Sequence, residues 1–202
     1  MTARVSTWTA GCALAAAALA LTSCGGSKKH AEEPSTSPAQ SQSSLVPGGA
    51  ANRAPTIRLQ SQAFADRSRL PRRFTCDGAG KSPPLSWTGV PRRTRSLVLL
   101  LEDPDAPGGT FMHWSVYAIP PKVHGFAART IPAGARQGRN SSGKAGYGPP
   151  CPPRGDRPHR YVFSLYAVPH RAAFGGGADI TAVRRLAASA TARGMLSATY
   201  QR

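Results

Sequence analysis

Acidic residues are scarce in this chain: nine Asp and Glu stand against 26 Lys and Arg, a formal net charge of +17 over 202 residues. Long apolar runs are also missing. The longest, an alanine-rich stretch from Ala10 to Leu21, covers about a dozen residues, too few to cross the ~30 Å hydrocarbon core as a helix. No other segment is apolar enough to span a bilayer. Cysteine is sparse, at four, and neither CxxC nor a tight Cys/His set occurs, which argues against a metal site. There is no Gly-x-Ser-x-Gly elbow, no HExxH and no phosphate-binding glycine loop, so the usual signatures of hydrolases and nucleotide enzymes are lacking. The arginines are scattered singly or in pairs (Arg72-Arg73, Arg92-Arg93, Arg184-Arg185) and are not gathered with aromatics on one element, as a nucleic-acid surface would require. No internal repeat is present.

The N-terminus has the form of an export signal. Arg4 precedes the apolar run, which ends in Leu21-Thr22-Ser23-Cys24. This tetrapeptide resembles a bacterial lipobox. The reading is a lipoprotein signal peptide over 1–23 and a diacylated (palmitate-bearing) Cys24 as first mature residue; an ordinary secretory leader with a stray cysteine is the alternative. Two acyl chains at ~0.8 kcal/mol per buried CH₂ hold a protein on a membrane without a spanning helix. That predicts a lipid-anchored protein on the extracytoplasmic side of the cell membrane. Residues 24–54 are rich in Gly, Ser, Pro, Gln and Ala and too poor in large apolar side chains to offset ordering entropy, so they read as a flexible linker.

The folded part then runs over 55–202, with 22 Lys and Arg against 7 Asp and Glu, a difference of +15. Such a charge favours anionic lipid, cell-wall polymer or small anionic ligands as partners, with no nucleic acid among them. Cys12 leaves with the leader and Cys24 takes the lipid, which leaves Cys76 and Cys151. In an oxidising compartment these are expected to form a disulfide, the alternative being two buried thiols.

Leu97 to Leu101 and Trp114 to Ile119 are strand-length apolar runs bounded by turn residues. The link between them holds Glu102, Asp103, Asp105 and His113, three of the nine carboxylates in one place. Ile57 to Leu59 reads as a first strand, and Leu70 to Cys76 as an extended piece entering the turn Asp77-Gly78-Ala79-Gly80. Lys81 to Trp87 is held extended by its prolines. The segment from Pro120 to Gly155 is nearly all turn formers. His159 to Val168 alternates Tyr161, Phe163 and Leu165 against Val162, Ser164 and Tyr166, a strong strand pattern. A helix is expected from Asp179, as cap, to about Thr191, ended by Gly194, with a last strand over Met195 to Tyr200. The class is mainly β, with one or two short helices.

Phe74-Thr75-Cys76-Asp77-Gly78, Ser82 to Trp87, Asp103-Pro104-Asp105-Ala106-Pro107, His113-Trp114, Gly146 to Pro153 and His159-Arg160-Tyr161 together resemble the phosphatidylethanolamine-binding protein family, in its bacterial Raf-kinase-inhibitor-like branch. The resemblance runs in order over about residues 57 to 200. It implies two antiparallel sheets with a small anion-binding pocket at one end, lined by Asp103, Asp105, His113, His159 and Tyr161, with Pro107 and the loop Tyr147, Gly148, Pro149 and Pro150 as wall. It implies a binding protein for phosphate-type anions or phospholipid headgroups; the missing catalytic motifs and Cys/His sets noted above lead us to expect no enzymatic activity, cofactor or metal. The kinase-inhibitor role does not transfer to a protein outside the cytoplasm. Imidazoles and a phenol supply the donors such an anion needs. A carboxylate on an imidazole N–H would orient the ring and raise its pKa, so tighter binding is expected below about pH 7. His30, His124 and His170 match no motif and read as solvated. Ala118 stands where many relatives have asparagine. A regulator or protease inhibitor acting through surface loops is the alternative function; a hydrolase, with Asp, His and Tyr doing acid–base work, is a further one.

Overall fold

A computed structural model describes residues 56–202. The leader, Cys24, His30 and the linker lie outside the described residues. The central strand is β4 (Ser96–Asp103), buried along almost its whole length. Alternation along a strand sends successive side chains to opposite faces, and here both faces are covered. Leu97, Leu99 and Leu101 enter one core with Trp87, Phe163 and Leu196. Val98 and Leu100 enter a second with Met112, Tyr117, Val183 and Ala187. This is why the run has no polar face.

Around β4 lies a six-stranded sheet in the order β2 (Ser68–Arg69), β9 (Ala192–Tyr200), β8 (His159–Val168), β4, β5 (Phe111–Ile119), β7 (Arg136–Gln137). It is antiparallel except at the β2–β9 edge. A smaller antiparallel sheet, β1 (Arg58–Gln60), β3 (Leu85–Thr88) and β6 (Gly125–Phe126), covers its inner face. The outer face is covered by α1 (Ile180–Ala188). Asp179 caps that helix, its carboxylate accepting from the Ala182 amide at 2.7 Å. Val183 and Ala187, one turn apart, are its buried face, and Arg184 bonds Glu102 of β4 at 2.7 Å.

Several boundaries differ from the expectations above. Over Leu70 to Cys76 a 3₁₀ turn (Arg72–Phe74) replaces the extended piece: Pro71 presets the entry, and its carbonyl accepts from the Phe74 amide at 2.9 Å. The helix stops at Ala188, and Gly194 lies inside β9. A Cβ there would come within 2.4 Å of the Ile57 carbonyl oxygen, so this glycine admits the chain entering β1 across β9. β4 and β5 also extend past their apolar runs, making Asp103 and His113 strand residues and shrinking the link between them to Pro104–Thr110.

Candidate functional site

Asp103 ends the inward-facing series that contains Leu97, Leu99 and Leu101, and His159 and Tyr161 begin the inward series of β8 that continues in Phe163 and Leu165. β4 and β8 run antiparallel with Glu102 opposite Val162, which brings these ends together. The apolar core therefore ends in polar side chains where the smaller sheet no longer covers it. A cavity of about 650 Å³ opens there.

His113 reaches the same place through a β-bulge. Leu101 pairs with Trp114 but Glu102 pairs with Met112, leaving β5 one residue extra. The extra residue breaks the alternation: Met112 packs toward α1, Trp114 packs in the inner core, and His113 lines the cavity. Its ring lies edge-on to Tyr161, with centroids 5.3 Å apart. Nδ1 of His113 is 2.9 Å from the Gly148 carbonyl, which assigns the proton of the neutral ring to Nδ1 and leaves Nε2 as an acceptor. In return, the Gly148 amide donates to the His113 carbonyl at 2.8 Å.

The carboxylates divide their work. Asp103, buried, accepts from the Asp105 amide at 2.9 Å through Oδ1 and meets His159 Nδ1 at 2.8 Å through Oδ2. The Nε2 of that ring lies 3.5 Å from Asp156. The expected carboxylate–imidazole pair thus exists, on His159. At His113 burial pushes the pKa down, only partly offset by the Gly148 bond and Asp103, contrary to the expected rise. Asp105 does not line the cavity. Its carboxylate is held by Arg160 through Nε at 2.8 Å, Nη2 at 3.0 Å and the backbone amide at 2.9 Å. Foremost through these Arg160 bonds, its pKa falls to about 2. Asp105 therefore fastens the 104–110 link to β8.

Tyr161 is fully buried, and its hydroxyl has no partner in hydrogen-bonding geometry. Burial first, then the charge of Asp103 and the approach of that carboxylate to the hydroxyl, pushes the phenol pKa well up, so the proton stays on the oxygen. Tyr147, by contrast, spends its hydroxyl on the Phe74 carbonyl at 2.7 Å and serves as wall. Pro107, Gly148 and Pro149 also line the cavity as expected. Cys151 lies in this wall and is joined to Cys76, with Cα atoms 5.3 Å apart; the Cys76 amide also bonds the Pro150 carbonyl at 3.0 Å.

Phe111, Asn140, Ser142 and Lys144 line the cavity as well and carry no signal in the linear sequence. The Asn140 Oδ1 accepts from the amides of Ser142 and Lys144, a tight turn that sets the Lys144 ammonium group's stem at the cavity rim. His124 and His170 are exposed.

Comparison with known proteins agrees with this architecture. The family model described as phosphatidylethanolamine-binding protein matches residues 60–201. The candidate lipoprotein LppC of Mycobacterium tuberculosis is 36% identical over 196 residues, 96% of this chain and 94% of LppC. Among solved structures, a candidate phosphatidylethanolamine-binding protein homologue from Chlamydia trachomatis superposes with a TM-score of 0.68 at 38% identity, covering 73% of this chain and 99% of its own. E. coli YbcL, described as a member of the mammalian family, gives 0.69 at 32% identity, covering 72% and 98%. The chain belongs to the phosphatidylethanolamine-binding protein family.

Proposed function

We propose that this protein is an extracytoplasmic, lipid-anchored binding protein whose cavity takes a phosphate-bearing small molecule or phospholipid headgroup. The observation that carries this reading is the Tyr161 hydroxyl, a fully buried donor beside His113 whose nearest polar neighbour, the Asp103 carboxylate, lies close enough to raise its pKa but outside hydrogen-bonding geometry. A buried hydroxyl left unbonded costs about 1–3 kcal/mol, a cost that an incoming acceptor relieves. A phosphate oxygen suits this place. When neutral, His113 Nε2 accepts from a P–OH; when protonated, it donates to P–O⁻. Lys144 adds a positive charge at the rim. Asp103 does not repel the ligand outright, because its oxygens are already engaged by the Asp105 amide and His159.

The test is calorimetric titration of the full chain with phosphoethanolamine and with inorganic phosphate at pH 6. Tyr161→Phe deletes only the unpartnered oxygen. It is expected to leave thermal stability unchanged or raised while weakening binding about tenfold, the scale of one bond to a charged group. Equal affinity in wild type and variant would remove the anion reading.

The similarity to LppC over nearly the whole chain supports the anchor at Cys24. Among the described residues no helix is long and apolar enough to cross a membrane. Cys24→Ala is expected to move the protein from the membrane to the soluble fraction, and an unchanged distribution would count against acylation.

A further inference from the structure

A second cavity, of about 310 Å³, lies at the opposite end of β4. From Ser96 to Asp103 the strand runs about 23 Å, at ~3.3 Å per residue, so the two cavities are separate. Three arginines line it: Arg95 before β4, Arg136 of β7 and Arg171 after β8. No carboxylate does. None of the ion pairs among the described residues uses any of the three. With far more cations than carboxylates in the domain most arginines stay unpaired, but here three of them line one hollow that holds no carboxylate.

An independent observation points to a ligand. Ser96, also in the lining, is 2% exposed, and its Oγ has no hydrogen-bond partner. Ser96 stands on the same face of β4 as Val98 and Leu100, the face shared by Ala118, Ala172 and Phe174 of the cavity wall. The hydroxyl is therefore a buried donor on the cavity side, in a lining that also holds the three arginines. The wall adds prolines 120 and 121, which bring no N–H of their own. The arginines and the serine are the side-chain donors of the lining.

We propose that this cavity is a second anion site, built for a phosphate group, either free or as a lipid headgroup. Guanidinium forks match phosphate oxygens in pairs, and the Ser96 hydroxyl supplies a neutral donor at the floor. The site is independent of the Tyr161 cavity and does not rest on the function proposed for it.

Titration of the full chain with inorganic phosphate at pH 7 and physiological salt tests this, in a Tyr161→Phe background that weakens the first cavity. One further equivalent of phosphate is expected to bind at up to millimolar concentration. Arg136→Gln/Arg171→Gln should abolish it, whereas Arg58→Gln/Arg185→Gln, which removes the same charge from exposed positions elsewhere, should retain it. Ser96→Ala, with no change of charge, should weaken it about tenfold. Phosphatidylglycerol vesicles distinguish the two sources: loss of vesicle binding in the Arg136/Arg171 variant, relative to the Arg58/Arg185 variant, identifies a headgroup, and equal binding by both variants identifies free phosphate. Absence of the extra equivalent, equal loss in both arginine pairs, or unchanged affinity in Ser96→Ala would overturn the proposal.

Discussion

His113 and Tyr161 show how burial turns ordinary side chains into a site. Tyr161 keeps its proton because its anion would be desolvated beside Asp103. His113 resists protonation because its ring is almost enclosed. A histidine whose folded pKa lies below its unfolded value of 6.5 makes the unfolded state the better proton acceptor. Stability is therefore full above that value and falls as pH drops below it. The expected result is a lower urea midpoint at pH 5.5 than at pH 7, with a smaller difference in His113→Gln; an equal difference in the variant would place the pH dependence elsewhere. An anion beside Nε2 stabilises the protonated ring, so phosphate binding near neutral pH should also be accompanied by proton uptake, visible as a dependence of the binding heat on buffer.

At the scale of elements, strand β5 carries both irregularities of its pairing with β4, and each lies beside a cavity. One is the bulge that turns His113 inward. The other, between Leu97 and Leu99 on β4, falls where Ala118 adopts a φ of +55°. The left-handed region disfavours a Cβ, and asparagine tolerates it better than alanine. Ala118→Asn is therefore expected to relieve strain at this position. The cavity wall over 146–153 is a second such element, with no regular hydrogen-bonding ladder and a disulfide to Cys76 instead. Closing a loop across a separation of 75 residues constrains the unfolded chain by roughly 4 kcal/mol. Cys76→Ser/Cys151→Ser is expected to cost about 2–4 kcal/mol in denaturant unfolding and to weaken phosphate binding at the Tyr161 cavity, whose wall it releases. Unchanged affinity in a folded double variant would show that the wall holds without the bond.

The described domain, taken whole, places the small sheet over the inner face of the large one and α1 over the outer face. β4, the shared layer, is buried throughout, and polar side chains appear in it only near its two ends, as Ser96 at one and Glu102 and Asp103 at the other. Both cavities lie at these ends because a strand buried on both faces can present polar groups only where its cover stops. The excess of cations is a property of the whole domain. Attraction to anionic surfaces follows from that excess at long range, and it weakens as salt shortens the Debye length below about 8 Å.

Local chemistry made much of this legible beforehand. Unbroken or alternating apolar runs marked β4 and β8, Asp179 marked the start of α1, and the motifs around Asp103, His113 and His159-Arg160-Tyr161 named the two imidazoles, the carboxylate and the phenol of the first cavity. Cys76 and Cys151 could be paired once the expected leader and lipid anchor were assigned the other two. Register, bulges and loop contacts were not legible, because they depend on what lies opposite in space. Only tertiary structure decided that His113 faces a carbonyl and loses basicity, that Asp105 holds Arg160 and not a ligand, and that Gly194 admits a crossing strand. The second cavity was hidden for the same reason: Arg95, Arg136 and Arg171 are ordinary scattered arginines in the chain, and pairing of β8, β4, β5 and β7 is what brings them near Ser96.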